Sequence, residues 1–329
     1  MDFREMKATA ARRLAGAQDE KKIALIFGGI TVLASLLVTV VNYCLGVEIS
    51  QTGGLRNFGL RSVLSAVQTV LPIVQLFGLL CLELGYTAAM LRISRGQYTS
   101  PQTLRAGIQR FWVMVRSLLF QSFLYLGVGL LSFYLAMQIY LITPLSNGFV
   151  EAAAPFLTST DMEAAILMAD EATQLQLLAS LAPMYVLMAV VFTGLAIPIS
   201  YQYRMVNYVL LDKPGIGALT ALRVSKAMMR YNRFKLFRLD LSFWWYHGLN
   251  LLAAVLCYGD AILALLGVEL PWSGEVSYFL FYGLYLAATL ALVYFLRNRV
   301  DVTYALAYEA LRPKEKETSG VVLGNIFNM

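Results

Sequence analysis

Ile23–Val47 reads IALIFGGITVLASLLVTVVNYCLGV, 25 residues without a charge, directly after Lys21 and Lys22. A helix rises about 1.5 Å per residue, so about 20 apolar residues cross the roughly 30 Å of bilayer hydrocarbon. Five further runs are long enough: Ser65–Leu91, Val113–Ile142, Leu178–Tyr203, Leu241–Val268 and Val276–Leu296. Positive charge sorts sharply between them. Of 26 Lys and Arg, six precede the first run, five fall in the second connection (counting Arg116 at its edge), eight in the fourth and five after the sixth run. Only Arg56 and Arg61 fall in an odd-numbered connection. Such an asymmetry assigns the basic loops and both termini to the cytoplasm. The expected fold is all-α: a polytopic membrane protein with six transmembrane helices and amphipathic interfacial helices on the cytoplasmic face.

Composition agrees. Hydrophobic residues make up 59% of the chain and charged residues 14%, against about 25% charged in an average soluble domain. The net charge of +6 is then a by-product of basic loops facing anionic headgroups, and no nucleic-acid partner is expected. Met1–Lys22 is too polar for a secretory leader and the first apolar run too long, so that run is expected to remain as a span. The expected organisation is a cytoplasmic amphipathic helix over 1–22, a six-span membrane domain over 23–311 and a disordered cytoplasmic tail over 312–329. Cys44, Cys81 and Cys257 all fall in apolar runs, three in number and without ligand spacing. They predict neither a disulfide framework nor a metal site.

A basic helix followed by a membrane hairpin occurs three times: Met1–Lys22, a segment opening at Ser100-Pro101, and one after Lys213-Pro214-Gly215. This suggests a threefold parallel repeat, although any inward-facing connection tends to be basic. The third helix has the cleanest pattern. At 100° per residue Arg223, Lys226, Arg230 and Arg233 form one stripe, with Ala221, Val224, Met228 and Tyr231 opposite. Such a helix can lie in the headgroup plane, each cation gaining about 1 kcal/mol beside anionic lipid. Anionic headgroups and the acidic surface of a protein partner are both open as ligands, as is a plain topological role. The connection Thr143–Leu177 holds no Lys or Arg and five acidic residues. Within it Thr160-Asp161-Met162-Glu163 reads as a capping box that starts a helix on the outer side.

Ionisable groups inside hydrocarbon cost roughly 2.5–3.5 kcal/mol on insertion scales and need a reason. Two qualify: Glu83 in the inner half of the second run and Asp260 in the outer half of the fifth. They could line a polar path, or each could be satisfied locally. His247, the only histidine, follows Trp244, Trp245 and Tyr246 and fits an aromatic belt. Asp240 opens the fifth run and is expected to cap it or to pair with Arg238 or Lys235. Pro72, Pro183 and Pro198 lie within runs and are expected to kink them. No zinc-protease, phosphate-loop or serine-hydrolase motif occurs in the chain. Neither catalysis, a metal nor a cofactor is expected.

From Ser200 onward the text resembles a known bacterial family. The residues that carry this are Ser200-Tyr201-Gln202-Tyr203-Arg204-Met205, Tyr208 to Pro214 around Asp212, Ser225 to Met229, and Leu236 to Phe243 with Asp240 and Ser242. Arg4 to Gly16, Ser94-Arg95-Gly96 and Thr303 to Leu311 extend the likeness over most of the chain. The family is the set of integral membrane proteins known as domain of unknown function 975. The chain departs from it at Asn232 and in the length of Thr143–Leu177. The resemblance implies a bacterial plasma membrane, a structural role for Tyr201, Tyr203, Asp212, Pro214, Asp240 and Ser242, and no defined activity. Two functions are therefore carried forward. One is a non-enzymatic binding or scaffold component that contacts anionic lipid or a protein partner through the basic helix. The other is a small transporter or permease that uses Glu83 and Asp260.

Overall fold

The computed structural model describes residues 3–17, 19–51, 58–154, 156, 170–268, 272 and 274–312. Arg56, the Thr160–Glu163 capping box and the tail beyond Arg312 lie outside these residues. All the regular structure described is helical. In chain order it comprises α1 (Phe3–Ala15), α2 (Glu20–Gln51), α3 (Phe58–Ser94), a 3-10 turn (Pro101–Arg105), α4 (Ala106–Gln109), α5 (Phe111–Ile142) and, after a second 3-10 turn, α6 (Asn147–Ala153). Then come α7 (Glu171–Ser180), α8 (Ala182–Tyr203), α9 (Val206–Asp212), α10 (Ala218–Met229), α11 (Arg233–Leu241), α12 (Trp244–Leu256) and α13 (Gly259–Leu265). The chain closes with α14 (Gly274–Leu292), a π-helical turn (Val293–Arg297) and α15 (Asn298–Leu311).

Five helical stretches are long and apolar enough to cross a bilayer: Glu20–Ser50, Gly59–Ser94, Phe111–Ile142, Ala172–Asp212 and Gly274–Leu311. Leucines and valines along them are exposed, Leu33, Leu37, Val63 and Val74 among them, as befits surfaces solvated by lipid chains. The protein is a membrane protein with multiple spans.

The sequence-based count is six, and the difference lies in Leu241–Val268. That run is not one helix. It breaks at Ser242-Phe243 and again at Cys257-Tyr258, where the N–H groups of Cys257 and Tyr258 bond back only three residues, to Ala254 and Val255. Gly259 follows the second break, and the Phe281 ring of α14 occupies the place a Cβ there would take. The two short helices α12 and α13 run along α14. Because α1 packs on α15, the chain begins and ends its helical part at the same end of the spans.

Two other expectations change. The segment opening at Ser100-Pro101 is a 3-10 turn plus a single helical turn rather than an amphipathic helix. It lies pressed against α3: a Cβ on Gly85 would strike the carbonyl of Leu104, and one on Gly107 the carbonyl of Cys81. Small residues permit this close backbone approach. The last helix, α15, continues from α14 through the π turn without a break. Pro72 and Pro198 sit inside α3 and α8, whereas Pro183 stands in the first turn of α8, where a missing N–H costs little.

The chain divides into two compact units, residues 1–114 with 205–329, and residues 115–204. In the second, α6 packs on α7 and Tyr140 donates to the Ser180 carbonyl at 3.0 Å. In the first, Ala10, Ile23, Ala24, Phe27, Tyr86, Ala89, Met90, Ile93, Val293 and Val302 form one buried cluster. That core joins α1, the start of α2, the end of α3 and α15. It lies at the basic end of the spans, where the functional candidates also gather.

Candidate functional site: the polar seam of the last helix

Helix α15, NRVDVTYALAYEAL, is buried on nearly all sides: Val300, Val302, Ala305 and Ala307 are inaccessible, and so are Asn298 and Thr303. Buried polar groups need partners, and this helix finds them on three others, α3, α9 and α11.

Arg297, the last residue of the π turn, binds Glu83 of α3 through its terminal nitrogen and Asp301 through Nε at 3.1 Å. Its guanidinium lies over the rings of Phe27 and Tyr86, 4.9 and 5.1 Å from their centroids. Tyr86, fully buried, donates to Asn298 Oδ1 at 2.5 Å. The aromatic faces attract the cation where water is scarce. The Arg297 and Glu83 side chains are 22% and 37% exposed, so this pair sits at the margin of the protein rather than in a sealed core. π turns put one extra residue in a helical turn and often mark functional sites.

A second cluster lies just past the end of α3. Arg95 binds Glu309 through Nε at 2.8 Å and Asp212, the last residue of α9, at 2.6 Å. Arg312 approaches the same Asp212 carboxylate at 3.2 Å, and Tyr308 donates to it at 3.0 Å. Asp212 is only 7% exposed. Burial works against the Arg95 charge, but the two carboxylates more than offset it and hold its pKa above the usual guanidinium value. The rings of Tyr208 and Tyr308 stack at 5.3 Å.

The third contact involves Asp240. It stands in the last turn of α11, not at the start of a span, and accepts a hydrogen bond from Tyr304 of α15. Beside it Lys7 of α1 donates to the Ser242 carbonyl at 2.9 Å and lies 4.1 Å over the Phe243 ring. Burial lowers the Lys7 pKa, and the Arg299 charge adds to the effect. Pro214 contributes its carbonyl, which accepts from Arg110. Thus Glu83, Asp212, Asp240, Ser242 and Pro214 all take part in contacts at the basic end. Tyr201 and Tyr203 belong to the other unit, where Arg204 lies 5.4 Å over the Tyr201 ring and Tyr203 is half-buried at the end of α8.

Glu83 and Asp260 are not brought together by any contact. Glu83 is held by Arg297, whereas Asp260 opens α13 near Cys257 and Tyr278. The basic stripe is also divided. Arg223 and Lys226 are exposed on α10 and Arg230 is exposed at its end, opposite the buried Ala221, Leu222, Ser225 and Met228. The helix stops there, so Arg233 begins α11, and Tyr231, expected on the apolar side, is 81% exposed in the turn. His247 is exposed beside Tyr246. Among the described residues no group of His, Cys, Asp or Glu could hold a metal ion.

The sequence analysis singles out none of Arg297, Asp301, Tyr304, Tyr308 and Glu309, which form the hub. One signal was available: an intramembrane Glu83 needs a cation, and Arg297 with Asp301 four residues later is a ready pair at the same end of the spans. No curated protein and no solved structure matches the chain. A family model described as "protein of unknown function (DUF975)" matches residues 1–315, a range that takes in every contact of the seam. With that coverage, the chain belongs to the DUF975 family.

Proposed function

We propose that this protein is a non-enzymatic binding or scaffold component of a bacterial plasma membrane, with both termini cytoplasmic. Its docking face is the outer side of α10, where Arg223, Lys226 and Arg230 meet anionic headgroups or the acidic surface of a protein partner. One observation carries the reading: these three cations are exposed together while the opposite side of the helix is buried. A helix anchored on one side and charged on the other presents a surface instead of completing a core. The distribution of basic loops supports the cytoplasmic orientation.

Native mass analysis of the protein, extracted in mild detergent from its own membrane, tests this. The wild type should retain anionic lipid or a stoichiometric protein partner, and an Arg223→Gln/Lys226→Gln/Arg230→Gln variant should retain less of the lipid or none of the partner. A wild type that carries neither, or a variant that keeps what the wild type keeps, overturns it. The second reading is a small transporter or permease using Glu83 and Asp260, and what favours it is the π turn at an ion cluster within a spanning helix. Proton- or solute-dependent flux in liposomes that Glu83→Gln abolishes would support that reading instead.

A further inference from the structure

A separate basic site is built where α3 ends. Gly96, at φ +71°, terminates that helix: its N–H bonds the Ile93 carbonyl at 2.9 Å and the Gln97 N–H bonds the Arg92 carbonyl at 3.0 Å. This is the paired closure that favours glycine in the left-handed region. Residues 96–99 and the last turn of α1 then enclose an open cleft of about 410 Å³, lined by Arg12, Arg13, Gly96, Gln97, Tyr98 and Thr99 among others. The Arg13 guanidinium lies over Gly96 in the space a Cβ would occupy. Arg12 donates to the Thr9 hydroxyl at 3.2 Å. Both arginines are exposed. Among the described residues no carboxylate lies within ion-pair distance of either. The carboxylate next in sequence, Asp19, is committed to Lys22 at 2.8 Å and to the Tyr98 hydroxyl at 3.3 Å.

Depth narrows the ligand class. The spanning stretch of α2 starts at Glu20 and that of α3 stops at Ser94, so the cleft opens at the level of the lipid headgroups. Tyr98 is exposed there, a position tyrosine favours at a membrane surface. Two guanidinium forks lining one cleft match the oxygens of a phosphate better than any other common anion of that layer. A volume of this size accommodates a small polar headgroup. We propose that this cleft binds a phosphate group through Arg12 and Arg13, with the 96–99 turn as its floor and a phospholipid of the adjoining leaflet as its source. This site shares no residue with the α10 surface, so the two assignments stand or fall separately.

Full-length protein, delipidated in detergent and titrated with phosphatidylglycerol, tests the cleft by native mass spectrometry. Glycerol 3-phosphate is titrated in parallel by calorimetry. The wild type should retain phosphatidylglycerol, and Arg12→Gln/Arg13→Gln should retain about tenfold less, given the gain of each cation near an anionic headgroup. The Arg223→Gln/Lys226→Gln/Arg230→Gln variant, whatever lipid it loses at α10, should keep the share that Arg12→Gln/Arg13→Gln removes. Glycerol 3-phosphate that binds the wild type, displaces the lipid and fails to bind the double variant keeps the phosphate site and makes its source soluble. Equal lipid retention by wild type and double variant, with no difference toward glycerol 3-phosphate, overturns the proposal. Both arginines are exposed, so the unfolding midpoint should not move. Should it fall, Arg12→Gln alone is read against the same two outcomes.

Discussion

Arg297 and Arg95 each hold two carboxylates, yet at different depths and with different company. Arg297 lies within the spanning stretch Gly274–Leu311, and two aromatic rings cover it. Arg95 lies one residue beyond the stretch that ends at Ser94, and it shares Asp212 with Arg312. In the first cluster Arg297 joins Glu83 and Asp301; in the second, Arg95 and Arg312 join Asp212 and Glu309. The lesson concerns energy rather than geometry. A carboxylate with a second cation, as Asp212 has in Arg95 and Arg312, stays neutralised when one partner is lost. Where water is scarce, removing the cation strands carboxylates that cannot be rehydrated without opening the structure.

The contrast can be broken by substitution. Arg297→Met should have the largest effect, about 3–5 kcal/mol of lost stability, read as a fall in the unfolding midpoint in detergent. Adding Glu83→Met should recover part of that loss, because a stranded charge is removed with its partner. If the double variant is no better than the single one, Glu83 is not what Arg297 neutralises. Asp212→Asn should cost less, about 1–3 kcal/mol, through the weakened contacts to Arg95, Arg312 and Tyr308. Salt should leave the Asp212→Asn loss largely in place, because Asp212 is only 7% exposed and buried pairs are screened little. A smaller effect, about 1 kcal/mol, is expected for Tyr304→Phe, which removes the donor to Asp240 and leaves the ring in place. Gly96→Ala should also cost about 1 kcal/mol for the left-handed backbone, and its methyl would push Arg13 aside. The same variant should therefore weaken phosphatidylglycerol retention, which Tyr304→Phe should not.

Much of the fold was legible because the bilayer imposes a length on apolar runs. Five of the six runs appear as continuous helices for that reason alone. Leu241–Val268 was misread as a simple rod because hydropathy cannot register a break. Its interruption at Cys257-Tyr258 depends on where Phe281 of a later helix comes to rest. The segment after Ser100-Pro101 fails similarly: its N-terminal signals are those of a helix, but contact with Gly85 and Cys81 of α3 leaves room for only a 3-10 turn and one helical turn. Glu83 could be picked out from its cost, and its need for a cation was implicit. Its partner is 214 residues away, a separation at which no local pattern exists. The α10 cations were legible as far as Arg230, since burial alternates there as amphipathicity requires. The break after Arg230, with Asn232 donating to the Met228 carbonyl at 2.9 Å, carried Arg233 onto another helix.

The π turn at Val293–Arg297 also acts as a phase adjuster. A turn with one surplus residue rotates everything after it by about 100° relative to an uninterrupted helix. One rod can therefore aim its lipid-crossing half at α2 and α12 and its polar half at α1 and α3. Deleting one residue of that turn, such as the exposed Phe295, would leave the hydropathy of the span almost unchanged. It would nevertheless swing Asp301, Tyr304 and Tyr308 off their partners together. The alignment of the whole seam is thus stored in a single inserted residue, and loss of that residue would uncouple membrane insertion from assembly of the polar end.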